Sequence, residues 1–127
     1  MHGLKILLVD DDVGSLKGMQ LALTMMKHAC DAYSDPVEAL ASYTAHPYDF
    51  VITDICMPTL NGFELAKQIR NLDSNAKIIY ISGYPMESMD KEIVDAEIQY
   101  LKKPVDFCQL KQMLDDISTE MRTISRN

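Results

Sequence analysis

The chain has 127 residues, 19 of them acidic and 12 basic, for a formal charge of −7, with 47% hydrophobic and 24% charged side chains. That length suits one compact domain with an ordinary core, and the composition excludes a disordered acidic tail. The acidity excludes a non-specific nucleic-acid binder, which needs a basic face to neutralise phosphates.

Cys30, Cys56 and Cys108 are widely spaced and odd in number. They form neither a disulfide framework nor a paired metal motif, which predicts a reducing compartment. No apolar run approaches the roughly 20 residues of a membrane helix. The start, Met1-His2-Gly3-Leu4-Lys5, lacks the features of a signal peptide. The expectation is a cytoplasmic protein without membrane contact. No repeat or linker interrupts the sequence, so residues 1–127 are expected to form one unit, with a core over about 4–121 and 122–127 as a tail or the start of a linker.

Two kinds of segment alternate along the chain. Ile6-Leu7-Leu8-Val9 is apolar without polar alternation, as a strand buried on both faces would be. Asp10, Asp11 and Asp12 follow it, and Asp12 suits the N-cap of the next helix. Leu16, Met19, Leu23 and Met26 then trace one helix face. Cys30–Tyr33 is a weaker strand candidate. Asp35 and Pro36 predict the cap and first turn of a helix through Leu40. After Asp49, which reads as a turn residue, Phe50–Thr53 is a second buried strand running into Asp54. A helix is expected over Gly62–Arg70, a strand over Ile78–Ile81 ending at Ser82-Gly83, and a helix over Met86–Asp95. Ile98–Leu101 is a weaker strand leading to Lys102-Lys103-Pro104. Phe107, Leu110, Leu114, Ile117 and Met121 mark a last amphipathic helix. Most of the nine methionines fall on these helix stripes and are expected to pack rather than bind a cofactor.

Strand–helix alternation repeated five times predicts a doubly wound α/β domain with a parallel sheet. Ligands of such sheets bind beyond the carboxyl ends of the strands. Those ends carry Asp10, Asp11, Asp54, Ser82 and Lys103. Singly, each has an ordinary reading as a cap, a turn or a solvated charge, and Lys102 keeps that reading. Together they assemble carboxylates, a hydroxyl and an ammonium at one edge. Two carboxylates about 5 Å apart repel by roughly 3 kcal/mol at an effective dielectric near 20, so such a cluster calls for a hard divalent cation such as Mg²⁺. Carboxylates, cation, lysine and hydroxyl suit phosphoryl transfer.

The segments LLVDDD (7–12), VITDICMPTLNGFEL (51–65), IIYISGY (78–84) and YLKKP (100–104) resemble the receiver domain of two-component response regulators, over Lys5 to about Met121. The resemblance implies a flavodoxin-like (βα)5 fold with strand order 2-1-3-4-5. It implies Asp54 as the phosphoacceptor, supplied by a sensor histidine kinase, a phosphotransfer protein or a small-molecule donor. Asp10 and Asp11, with Asp54 and the backbone carbonyl of Cys56, would hold Mg²⁺, or Mn²⁺ in its place. Lys103 would contact the phosphoryl oxygens, and Ser82 and Tyr100 would act as the switch pair. Pro58 and Gly62 would shape the loop after Asp54, and a cis bond before Pro104 would aim Lys103. Serine at 82 keeps the hydroxyl that threonine supplies elsewhere. Cys56 and Tyr84 occupy positions that tune phosphoryl lifetime in the family.

The implied activity is signalling through a downstream output protein or a linked output domain, without turnover of a separate substrate or direct nucleic-acid contact. Homodimerisation is left open. Two alternatives stand beside it. Asp10-x-Asp12 is similar to the nucleophile motif of haloacid-dehalogenase-type phosphatases, with Asp10 as nucleophile and Asp12 as acid/base. That leaves Asp54 without a role, and the later acidic pair and cap insertion are missing. The other alternative is a receiver fold used purely for interaction and never phosphorylated.

Overall fold

The computed structural model describes residues 3–83 and 99–125, with side chains through Thr119. The expected helix over 86–95, with Tyr84, Met86, Met89 and Ile93, lies outside the described residues. The elements are β1 (Lys5–Val9), α1 (Val13–Met25), β2 (Ala29–Tyr33), α2 (Pro36–Ala45), β3 (Phe50–Asp54), α3 (Gly62–Leu72), β4 (Ile78–Ser82), β5 (Gln99–Lys102) and α4 (Phe107–Ser125). The strands form one parallel sheet in the order β2-β1-β3-β4-β5, the flavodoxin-like order.

The continuous apolar runs follow from burial on both faces. Ile6 and Leu8 of β1 turn to one face, under Leu16, Met19 and Leu23 of α1 and Leu110, Leu114 and Ile117 of α4. Leu7 and Val9 turn to the other, under Ala39 and Tyr43 of α2 and Leu65, Ala66 and Ile69 of α3. Residues 50–54 and 78–82 are buried throughout. β2, at the sheet edge, is half-exposed, and its sequence is correspondingly mixed.

Helix starts match their local chemistry. Asp12 caps α1 by accepting from the Gly14 and Ser15 N–H groups, and Asp35 caps α2 with Pro36 behind it. Asn61 and Glu64 form a reciprocal capping box on α3. α2 continues to Ala45, beyond the Leu40 expected, because Ala39 and Tyr43 sit on one buried stripe. α4 runs through Ser125. Asp49 is more than a turn residue. Its Oδ2 accepts from the Lys5 N–H at 2.8 Å and its own N–H donates to the Lys5 carbonyl at 2.8 Å, tying the start of β1 to the approach of β3.

Candidate functional site

The parallel register carries the functional side chains to one edge. Val9 lies beside Thr53, Asp54 beside Ile81, and Ser82 beside Lys102. Asp10 and Lys103 each follow their strand by one residue. Four positions far apart in sequence thus stand at neighbouring strand ends.

Asp10 is 1% exposed and Asp54 6%. Two carboxylates buried this deeply need compensation. The Lys103 ammonium provides it, bridging Asp54 Oδ2 at 2.8 Å and Asp10 Oδ2 at 3.0 Å. The remaining oxygens meet backbone donors. Asp10 Oδ1 accepts from the Asp12 N–H at 3.0 Å, and Asp54 Oδ1 from the Cys56 N–H at 3.2 Å. Burial pushes the Asp54 carboxyl above its ordinary value, while Lys103 pulls in the opposite direction. Burial also opposes the charge on Lys103, but its bonds to Asp54 and Asp10 hold the ammonium above its usual value.

Asp11 is exposed, yet its carboxylate stands with those of Asp10 and Asp54 so that one oxygen of each lies within 4.8 Å of the others. Three formal negative charges against one ammonium leave −3 + 1 = −2 at the edge. An all-oxygen donor set with that charge fits Mg²⁺. The Cys56 side chain is exposed and its N–H is committed to Asp54.

The surrounding loop explains how Asp54 is held. A Cβ on Gly62 would lie 2.3 Å from the Asp54 carbonyl oxygen and 2.9 Å from the Ile55 Cα. Glycine therefore lets the start of α3 press against the backbone of β3, and the Gly62 N–H donates to the Ile55 carbonyl at 2.8 Å. Pro58 lies exposed in the same loop, ahead of Thr59 with φ of 74°. The Lys103–Pro104 bond is cis. The Lys103 N–H donates to the Ser82 carbonyl at 2.8 Å, so the lysine is tied to β4. Ser82 is fully buried, and Tyr100 is half-buried against the α2–α3 side of the sheet.

The structure brings together Asp10, Asp11, Asp54 and Lys103, with Ser82 at the adjoining strand end. Lys102 is exposed, as a solvated charge should be. Asp12 caps α1, the role expected of it, rather than standing with the carboxylates of Asp10, Asp11 and Asp54. The Asp10–Lys103 pair has no local signal in the sequence, since strand order alone makes those residues neighbours.

The family model for the response regulator receiver domain matches residues 6–115. An uncharacterized response regulatory protein of Staphylococcus epidermidis is 37% identical over 115 residues, covering 87% of this chain and 45% of that protein. A two-component transcriptional regulator from Clostridium phytofermentans superposes with a TM-score of 0.80 at 29% identity, covering 98% of this chain and all of that one. A chain of the CheX–CheY–BeF3–Mg²⁺ complex from Borrelia burgdorferi gives 0.79 at 28% identity, covering 88% and 87%. The chain spans about half the length, or less, of the curated relatives it matches. Among the described residues no helix is long and apolar enough to cross a membrane.

Proposed function

The chain belongs to the response regulator receiver domain family, and we propose on that premise that it is a phosphorylation-controlled switch with Asp54 as its phosphoacceptor. One observation carries the reading: an ammonium held between two buried carboxylates at the sheet edge, with a third carboxylate beside them. Asp54 is the member whose carboxylate ends a central strand against the loop of Cys56 and Gly62, where a phosphoryl group can be presented from solvent.

In the forward step an Asp54 oxygen forms a bond to phosphorus as the bond from phosphorus to the donor breaks, the electron pair leaving with the donor. The donor is the phosphohistidine of a sensor kinase or phosphotransfer protein, or a small-molecule phosphodonor. Formation of the acyl phosphate removes the carboxylate charge that Lys103 holds at 2.8 Å, so the ammonium moves to a phosphoryl oxygen. Asp10, Asp11, Asp54 and the Cys56 carbonyl are the groups that would hold Mg²⁺, or Mn²⁺ in its place. When bound, the ion neutralises charge on the transferring phosphoryl group. Ser82, at the end of β4, donates its hydroxyl to the new phosphoryl oxygens. Tyr100 turns inward behind it on β5.

The added charge thus biases a two-state surface that partners read. The output belongs to a separate cytoplasmic protein or to a linked domain of the kind that fills the rest of the longer relatives. This is a signalling domain, with no separate substrate to turn over. Treating the protein with a phosphodonor and Mg²⁺ should add one hydroxylamine-sensitive, alkali-labile phosphoryl group, read by intact mass, and Asp54→Ala should abolish it. Undiminished labelling of that variant overturns the proposal. Beryllofluoride binding that requires Mg²⁺ separates it from a purely interacting module.

A further inference from the structure

Beside the acceptor site lies an open cleft of about 550 Å³. Gly18 and Met19 of α1 form one wall, and Pro104, Val105 and Phe107 the other. Its polar lining is Asp10, Lys103 and Ser15, of which Asp10 and Lys103 also belong to the acceptor site. Asp54 does not line it. The cleft therefore adjoins the acceptor site through Asp10 and Lys103, and most of its remaining lining is apolar.

In-line displacement at phosphorus places the leaving group on the side away from the nucleophile. The cleft is contiguous with Lys103, so a leaving group that departs past this ammonium enters it. A volume of this size matches small-molecule sites, whose apolar walls carry one or two polar groups that fix orientation. Phe107 is 43% exposed, so part of the wall is an aromatic surface without full cover. An acetyl group would leave most of this space empty.

Resting on the reading of Asp54 as phosphoacceptor, we propose that the cleft selects among small-molecule donors, favouring acyl phosphates whose acyl group is larger and more apolar than acetyl. The Asp54 oxygen forms the new bond to phosphorus as the bond from phosphorus to the acyl oxygen breaks. The electron pair departs as a carboxylate beside the Lys103 ammonium, and no proton moves. The acyl chain or ring lies between Met19 and Phe107, where its burial adds to binding without contact to the reacting atoms.

Gly18 supplies the test. A Cβ added there meets nothing within 4 Å, and leucine is the better helix former, so Gly18→Leu should fold while filling the cleft. Labelling of Asp54 by benzoyl phosphate and by acetyl phosphate is followed by intact mass in Mg²⁺. The wild type should favour benzoyl phosphate, and Gly18→Leu should lower the benzoyl-to-acetyl rate ratio on the order of tenfold. Circular dichroism melting checks that the variant is folded. As an independent readout, the aryl ring of benzoylmethylphosphonate, a non-hydrolysable analogue, should show an NOE to the Met19 methyl group. Labelling with a ratio unmoved by Gly18→Leu, or no contact with Met19, overturns the inference alone. No labelling by either donor overturns the acceptor reading and the inference with it.

Discussion

Two glycines show how a single position takes its meaning from what surrounds it. At Gly62 a Cβ would meet the Asp54 carbonyl oxygen at 2.3 Å, and that partner is backbone, which cannot swing aside. Gly62→Ala should therefore destabilise the fold by about 1–3 kcal/mol in urea unfolding and slow phosphorylation by shifting Asp54. At Gly18 the same change meets nothing, and Gly18→Ala should stabilise by about 0.5–1 kcal/mol through helix propensity. The cysteines divide in the same way. Burial pushes the Cys30 thiol up to about 11, with the neighbouring Asp31 charge adding to it. Cys56 and Cys108 are exposed. Thiolate is the reactive form, so iodoacetamide at pH 8 should modify two cysteines rapidly and the third after denaturation. Peptide mass mapping should place that slow site at Cys30, and equal rates at all three would contradict the burial.

At the scale of elements, legibility tracks burial. β1, β3 and β4 were readable as unbroken apolar runs because both of their faces are covered, as Ile6 and Leu7 on opposite faces of β1 show. β2 gave a weak signal because the edge is half-wet. Helix starts at Asp12 and Asp35 were readable because a cap is a local event, decided within three residues. The ties between elements were not. Tyr48 donates to Asp31 Oδ2 at 2.6 Å across 17 residues, and Tyr43 to Asp73 Oδ2 at 3.0 Å across 30. Nothing in a single sequence pairs residues at such separations. The acceptor site was legible by a different route: Asp54 ends its strand, Asp10 and Lys103 each follow one, and parallel topology sends such positions to one edge. The ties carry a pH dependence. Burial first, and the Asp73 carboxylate second, push the Tyr43 phenol up to about 12. The folded state then holds a proton that the unfolded chain releases near pH 10, so stability falls as pH rises from there toward 12. The urea midpoint should drop across that range, and Tyr43→Phe should make the drop shallower.

For the molecule as a whole, the charge of −7 is unevenly placed. Asp10, Asp11 and Asp54 crowd one edge, with Lys103 leaving a formal −2 there. Self-repulsion of that kind is tolerated in the fold because two of the three carboxylates are satisfied by Lys103 and by backbone N–H groups. Asp11 is the exposed member, and among the described residues it is held by neither. Global stability and metal affinity are therefore separable through this residue. A ligand that binds the folded state alone stabilises it by RT ln(1 + [L]/Kd), about 2.7 kcal/mol at one hundred times Kd. Saturating Mg²⁺ should raise the Tm of the wild type by several degrees, given roughly 2–8 °C per kcal/mol for a domain of this size range, and EDTA should reverse the rise. Asp11→Ala should melt near the metal-free wild type, because an exposed carboxylate contributes little to packing, and its Tm should not respond to Mg²⁺. A full Mg²⁺ response in that variant would place the ion elsewhere on the acidic surface, and the strand-edge site would lose its metal.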